Sequence, residues 1–389
     1  MTETDIQNES AIFQSTDTRY RPLRFVIAAL AIIFVTYQVI GGLLTLLLIG
    51  GTVTIDNVTA ARLATMVSQL VFLLVPVLWL AKRQHGRITE IFPMRLPSVM
   101  EAVLAIVGMI ALMQLGEFYL YFQSKIPVPE SIAPFLSEMK RMIEVTFRTL
   151  VVAHSVPEML FVVTVAAMTP AICEEAMFRG LIQKNLTLSS GTVKGFILTG
   201  TIFGLYHMNP FWIVPLVALG IYFSFLRYRS QSLVLPVVAH LLNNASAVVG
   251  VYVYGETDDT TPTMFMGQAA EPSTAAVLGT AAFFALIFFL VMIQYIRITD
   301  RKRNSERRSM LQEELTSVPD GFVPLRVAED LFAADLIGTN LSANGVEVRW
   351  VSDDGSPATL LCVRIGEEQR AEEQLTSLDL IDFTRPYVQ

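Results

Sequence analysis

Two adjacent glutamates and an arginine interrupt an otherwise lipid-soluble run in "AICEEAMFRG", Ala171 to Gly180. Further on, "FGLYH" closes an apolar stretch with Phe203 and His207, and "HLLNN" sets His240, Asn243 and Asn244 inside another. An ionisable side chain in hydrocarbon costs about 2.5–3.5 kcal/mol on insertion scales, and by default it marks function. The chain has 4 histidines. Two fall in these stretches, and the others, His85 and His154, have polar or loop surroundings. Helical spacing then assigns faces. Glu175 and Arg179 stand one turn apart and can pair, whereas Glu174 is turned by about 100° from its neighbour and looks into another sector. His240 and Asn244 repeat the one-turn spacing with Asn243 beside them. Phe203 and His207 repeat it again, with the phenylalanine beneath the imidazole.

These residue types support one coherent chemistry. A buried glutamate can act as general base on water, and a histidine beside it can orient that water and carry the proton. A second histidine with a carboxamide can donate hydrogen bonds to an oxyanion. The assignment is Glu174 facing the cavity, with Glu175 and Arg179 as a supporting pair. The same donors offer a metal alternative, because one Glu and two His form a catalytic zinc set, here Glu174, His207 and His240. Their origin on three separate helices lacks the local HExxH spacing of zinc peptidases, which favours a metal-free route. Cys173 is excluded as nucleophile, since two flanking glutamates disfavour its thiolate.

The elements that must position these groups are membrane helices. Of 389 residues, 53% are hydrophobic and only 16% charged, against about 25% charged in soluble domains. The net charge of −7 leaves no broad basic surface, so nucleic acid is not an expected partner. Two distant cysteines, Cys173 and Cys362, make no disulfide framework. A bilayer takes roughly 20 apolar residues per helix. On that measure about eight spans are expected, at 25–49, 63–80, 102–122, 160–181, 196–206, 212–225, 233–254 and 275–296, the fifth and sixth short and linked by "HMNPF". Arg19, Arg21, Arg24, Lys82, Arg83, Arg87, Arg227, Arg229 and the tract 297–308 then fall on one side and the acidic loop 255–261 on the other. This places both termini in the cytoplasm of a cell-membrane protein. The segment "FLSEMKRMIEVTFRTLV" reads as an interfacial amphipathic helix on the outer side. The basic tract after the last span reads as a topology signal in contact with anionic lipid.

The domain plan is a disordered cytoplasmic tail over 1–20, a transmembrane domain over 21–300 and a linker over 301–320. A small soluble α+β domain follows over 321–389, in the order strand, helix, strand, strand, helix. It carries no catalytic constellation, and its partner is unknown. The fold class expected is an all-α polytopic membrane protein with a C-terminal α+β module.

"EEAMFR", "FGLYH" and "HLLNN" fit the patterns EExxxR, FxxxH and HxxxN, in that order on successive helices. Together they resemble the CPBP (Abi) family of intramembrane proteases, relatives of the Rce1-type CAAX prenyl endopeptidases, over about 160–254. The resemblance implies that Glu174 and His207 activate water, that His240 and Asn244 stabilise the oxyanion, and that Glu175 and Arg179 support them. It also implies a peptide or protein substrate cut near the cytoplasmic side, by a glutamate- or metal-dependent route. Two rivals stand beside this. A transporter would also carry such residues but would show internal repeats, which are lacking. An inactive membrane scaffold of the same fold would have lost a motif residue, and none is lost. Counted from the cytoplasmic helix ends, His207 lies about 20 Å deep and His240 about 13 Å, so tilted or short helices are needed to level them.

Overall fold

Residues 22–84, 88–254, 274–314, 321–328, 331–351, 359–377 and 384–386 are described by the structure, a computed structural model. The N-terminal tail, His85, the acidic loop 255–261 and the turn at 353–357 lie outside the described residues. By its internal contacts the chain divides into two units, one ending at Ile296 and the other beginning at Arg297.

The regular elements described in the first unit are all helices. Its elements are α1 (Pro22–Ile49), α2 (Val58–Arg83), α3 (Val99–Ser124), α4 (Ala133–Val151), α5 (Val156–Ser190), α6 (Thr192–Tyr206), α7 (Ile213–Ser230), α8 (Val234–Tyr254) and the start of α9 (Thr274–Glu314). Helices form here because lipid cannot satisfy a backbone polar group, so each span must pair its own. Local chemistry sets their ends. Gly50, at φ 75°, closes α1 in the left-handed region that glycine adopts freely. Ser98 and Glu101 open α3 with a reciprocal capping box, and Ser155 caps α5 ahead of Pro157.

Among the described residues, α1, α2, α3, α5, α8 and the Thr274–Lys302 part of α9 are the 6 helices long and apolar enough to cross a membrane. The chain is thus a polytopic helical membrane protein. The fifth and sixth of the eight expected spans are short, as expected. They form α6 and α7, of 15 and 18 residues. At 1.5 Å per residue those lengths reach only about 22 and 27 Å, short of a hydrocarbon core of about 30 Å.

These two helices make a hairpin held by glycine. A Cβ on Gly200 would lie 2.3 Å from the Ile221 nitrogen, and one on Gly204 would lie 2.4 Å from a Val217 methyl. One on Gly220 would lie 2.6 Å from the Gly200 carbonyl oxygen. Small residues one turn apart let two backbones touch, and this contact carries His207 at the end of α6. α4 is amphipathic and exposes Phe135, Met142, Val145 and Phe147.

The second unit contains β1 (Phe322–Ala328), α10 (Leu331–Ala343), β2 (Val348–Val351), β3 (Thr359–Arg364), α11 (Glu368–Ser377) and β4 (Thr384–Pro386). The strands form an antiparallel sheet in the order β2-β3-β1-β4. Ile337 and Leu341 of α10 and Ala371 and Leu375 of α11 join Leu361 and Val363 in its core. The short edge strand β4 is additional to the strand–helix–strand–strand–helix order expected.

Candidate active site

α5 carries the first motif and is not a uniform helix. Thr164–Met168 and Ala176–Ile182 are π-helical, and an α-helical turn, Thr169–Glu175, lies between them. Such widened turns often accompany functional sites. Pro170 has no N–H to offer the Ala166 carbonyl four residues back. Asn244 Nδ2, from α8, donates to that carbonyl at 3.3 Å.

The two glutamates have separate partners. Glu175 Oε1 accepts from Arg179 Nη1 at 2.8 Å and from His240 Nδ1 at 2.8 Å. Arg179 Nη2 also donates to the Gly220 carbonyl of α7 at 2.9 Å. The guanidinium carbon sits 4.5 Å from the Phe203 ring centre and 5.3 Å from that of Phe223. The His240 ring is stacked on Phe223 at 5.3 Å and 19°. The Glu175 and Arg179 side chains are both 0% exposed, so water screens neither charge. The Glu175 carboxylate accepts a hydrogen bond from His240 Nδ1–H, which leaves Nε2 as the nitrogen for chemistry.

Glu174 sits in a more open place. Its side chain is 15% exposed and that of His207 is 30%, with Glu174 Oε2 and His207 Nε2 3.7 Å apart. That separation exceeds a direct hydrogen bond, and Glu174 Oε2 has no hydrogen-bond partner among the described residues. His207 Nδ1 donates to the Phe203 carbonyl at 2.8 Å, so its Nε2 is the nitrogen presented to Glu174. Just beyond, Met208 has φ 50°, where the chain turns from α6 toward α7. The Phe203 ring joins the two halves of the site, 4.7 Å from the His207 ring and 5.8 Å from that of His240.

The structure therefore brings Glu174 to His207, and Glu175 to both Arg179 and His240. It directs Asn244 elsewhere, its Nδ2 to Ala166 and its Oδ1 to Asn243 Nδ2 at 3.0 Å. For the zinc alternative, no group of three His, Cys, Asp or Glu side chains among the described residues is arranged to hold a metal ion. His240 Nδ1 is engaged by Glu175, so of its two ring nitrogens only Nε2 could serve a metal. No step below passes through a metal.

Sequence reasoning missed a polar wall from α1 and α2. Gln38 Nε2 donates to the Tyr206 carbonyl at 3.2 Å, and Gln69 Nε2 to the Tyr37 hydroxyl at 3.3 Å. Arg62 is only 3% exposed. It donates to the Leu150 carbonyl at 2.9 Å, to Glu158 Oε1 at 2.8 Å, and to the Val152 carbonyl. A cavity of about 210 Å³ is lined by Arg62, Thr65, Gln69, Ala166, Pro170 and Asn244, among others. The insertion-cost argument that singled out Glu174 applies equally to Arg62 and Gln69, two helical turns apart on one face of an apolar helix.

Residues 156–246 match the family model described as "Type II CAAX prenyl endopeptidase Rce1-like". The chain is also 27% identical over 143 residues to "Putative membrane peptidase YdiL" of Bacillus subtilis (strain 168), which covers 37% of this chain and 57% of that protein. The match thus spans little more than half the length of that relative. No solved structure matches. The family match contains all three motifs and bears out the resemblance carried by them. Tyr37, Arg62 and Gln69 lie outside it.

Proposed function

From a membrane protein whose residues 156–246 are of the Rce1-like type, we propose that the chain is an intramembrane endopeptidase. The observation that carries this is the pairing of a half-open Glu174–His207 couple, 3.7 Å apart, with a closed Glu175–Arg179–His240 network alongside. One carboxylate is free to handle a proton while its neighbour is fixed.

In this mechanism Glu174 takes a proton from a water molecule as the water oxygen bonds to the scissile carbonyl carbon. His207, anchored through Nδ1 on Phe203, orients that water through Nε2. The developing oxyanion accepts a hydrogen bond from His240 Nε2–H, and Glu175 holds the ring in place through Nδ1. Asn244 is the second donor, turning from its 3.3 Å contact with Ala166. Collapse of the tetrahedral adduct breaks the C–N bond, and the proton held by Glu174 passes to the leaving amine. Arg179 holds Glu175 and does not touch substrate. The substrate class is a peptide or protein segment in the membrane, cut near the cytoplasmic side of the cell membrane. Both termini are cytoplasmic, as the Lys/Arg distribution supports.

The test uses purified full-length protein in detergent against a library of internally quenched peptides. General-base catalysis is worth about 10²–10⁴-fold, and Glu174→Ala is expected to lose at least that, with His240→Ala comparably impaired. Cleavage that survives Glu174→Ala refutes the mechanism. Loss with a chelator and recovery with zinc would replace the metal-free route by a metal-dependent one.

A further inference from the structure

The cavity beside Asn244 has a built polar feature that the mechanism above does not use. Gln69 is 6% exposed and lines the cavity. Its Nε2 is tied to the Tyr37 hydroxyl at 3.3 Å, while its Oε1 is buried with no hydrogen-bond partner among the described residues. Tyr37 thus holds the carboxamide in place and leaves a hydrogen-bond acceptor unused. The remaining wall contributes apolar surface from Leu150, Val165 and Ala166.

The cavity is also placed to serve the reacting bond. Pro170 lines it and lies one α-helical turn before Glu174, which is about 6 Å along the axis. Asn244 lines it from the opposite helix. Arg62 stands two turns from Gln69 on the same face of α2, about 10 Å along that helix.

A peptide bond held in a regular helix is shielded by its own turn. To be cut, the segment must unwind, and its backbone N–H groups then need acceptors where lipid offers none. We propose that this cavity is the substrate subsite, and that Gln69 Oε1 accepts a backbone N–H of the unwound peptide and so sets its register against Glu174. The substrate class is an extended segment recognised through its backbone, with small or aliphatic side chains toward Leu150, Val165 and Ala166. This inference rests on the endopeptidase reading above.

The experiment is an ester scan on one peptide selected from the quenched library for cleavage by the full-length protein. Replacing an N–H by an ester oxygen removes a single donor. With the native chain, one ester position raises KM about five- to ten-fold with little change in kcat, the size expected for one hydrogen bond. Gln69→Met raises KM of the all-amide peptide by the same factor and abolishes the penalty at that position alone. A purely structural role for Gln69 would leave the ester profile intact. An unchanged profile in Gln69→Met, or a flat profile with the native chain, overturns the proposal while the Glu174→Ala result leaves the endopeptidase reading standing. The same scan read as binding of the peptide to Glu174→Gln frees it from turnover, and absence of any bound peptide overturns both readings. Should Gln69→Met fail to accumulate, benzoylphenylalanine at Leu150 serves instead. It must crosslink the residue adjoining the ester-sensitive amide, and crosslinking elsewhere refutes the subsite.

Discussion

Removing the charge at Arg179 perturbs the site where its geometry is tightest. Arg179→Leu leaves Glu175, 0% exposed, with only His240 as a polar partner among the described residues. It also takes the donor from the Gly220 carbonyl at 2.9 Å and the cation from the Phe203 face at 4.5 Å. Breaking a buried pair by deleting one member costs about 3–5 kcal/mol, and a charged donor to a carbonyl contributes about 1.5–3 kcal/mol. Both losses come from one guanidinium and do not add. The expected total is therefore about 4 kcal/mol, close to 10³ in the unfolding equilibrium. Removing both charges, in Glu175→Leu/Arg179→Leu, leaves no orphaned ion. Replacing a buried pair by apolar residues is often neutral or better, so the double variant is expected within about 2 kcal/mol of the native chain. It stays inactive because His240 has lost its anchor. The assay is equilibrium unfolding in mixed micelles by tryptophan fluorescence in a Trp350→Phe background, so that Trp79 and Trp212 report on the first unit, with peptide cleavage measured on the same samples. Arg179→Leu within 1 kcal/mol of the native chain, or a double variant no more stable than the single, would refute the reasoning.

The α6–α7 contact gives a second outcome. Gly200→Ala puts a methyl 2.3 Å from the Ile221 nitrogen and 2.7 Å from the Gly220 carbonyl carbon, both backbone atoms that cannot swing aside. Overpacking of this kind costs about 1–3 kcal/mol, and displacing His207 by an ångström lowers turnover by about 10²-fold. Gly42→Ala, whose methyl meets nothing within 4 Å, is the control, and equal unfolding midpoints for the two variants would contradict the contact. A third concerns Arg62, whose guanidinium ties the end of α4 to the start of α5 through Leu150, Val152 and Glu158. Arg62→Met is expected to speed amide hydrogen exchange over 150–158 at least ten-fold while leaving 199–206 unchanged, and equal uptake over 150–158 would show that the tie does not hold this junction.

Contacts inside one helix were legible because periodicity fixes them. Glu175 and Arg179 are one turn apart and 2.8 Å in contact, and Phe203 lies one turn below His207 with rings 4.7 Å apart. Contacts between helices follow no such ruler. Nothing in the spacing says that Glu175 reaches His240, 65 positions on, or that Asn244 answers the carbonyl freed by Pro170. The polar wall from Tyr37, Arg62 and Gln69 forms no motif, and its members mattered only once the fold set them beside α5. The packing of the hairpin was not legible for a related reason. Hydropathy reads apolar length, but α6 and α7 are kept together by glycines at 200, 204 and 220, which score as neutral. β4, at three residues, is too short for alternation to register.

Glu174 and Glu175 show how far environment divides identical residues. They are adjacent on one turn, yet their side chains are 15% and 0% exposed. The division is set by what lies one turn onward: Arg179 is spaced to meet Glu175, and the turn between them widens into a π-helix at Ala176. Closing Glu175 in this way has a cost, since two buried charges and a histidine must be held away from water. That cost is offset by three aromatic rings and the Gly220 carbonyl, groups that belong to α5, α6 and α7. The fixed glutamate thus ties together the helices that carry the free one and its histidine. An arrangement that placed both carboxylates in the open pocket would have lost that tie and set two like charges against each other at the reacting centre.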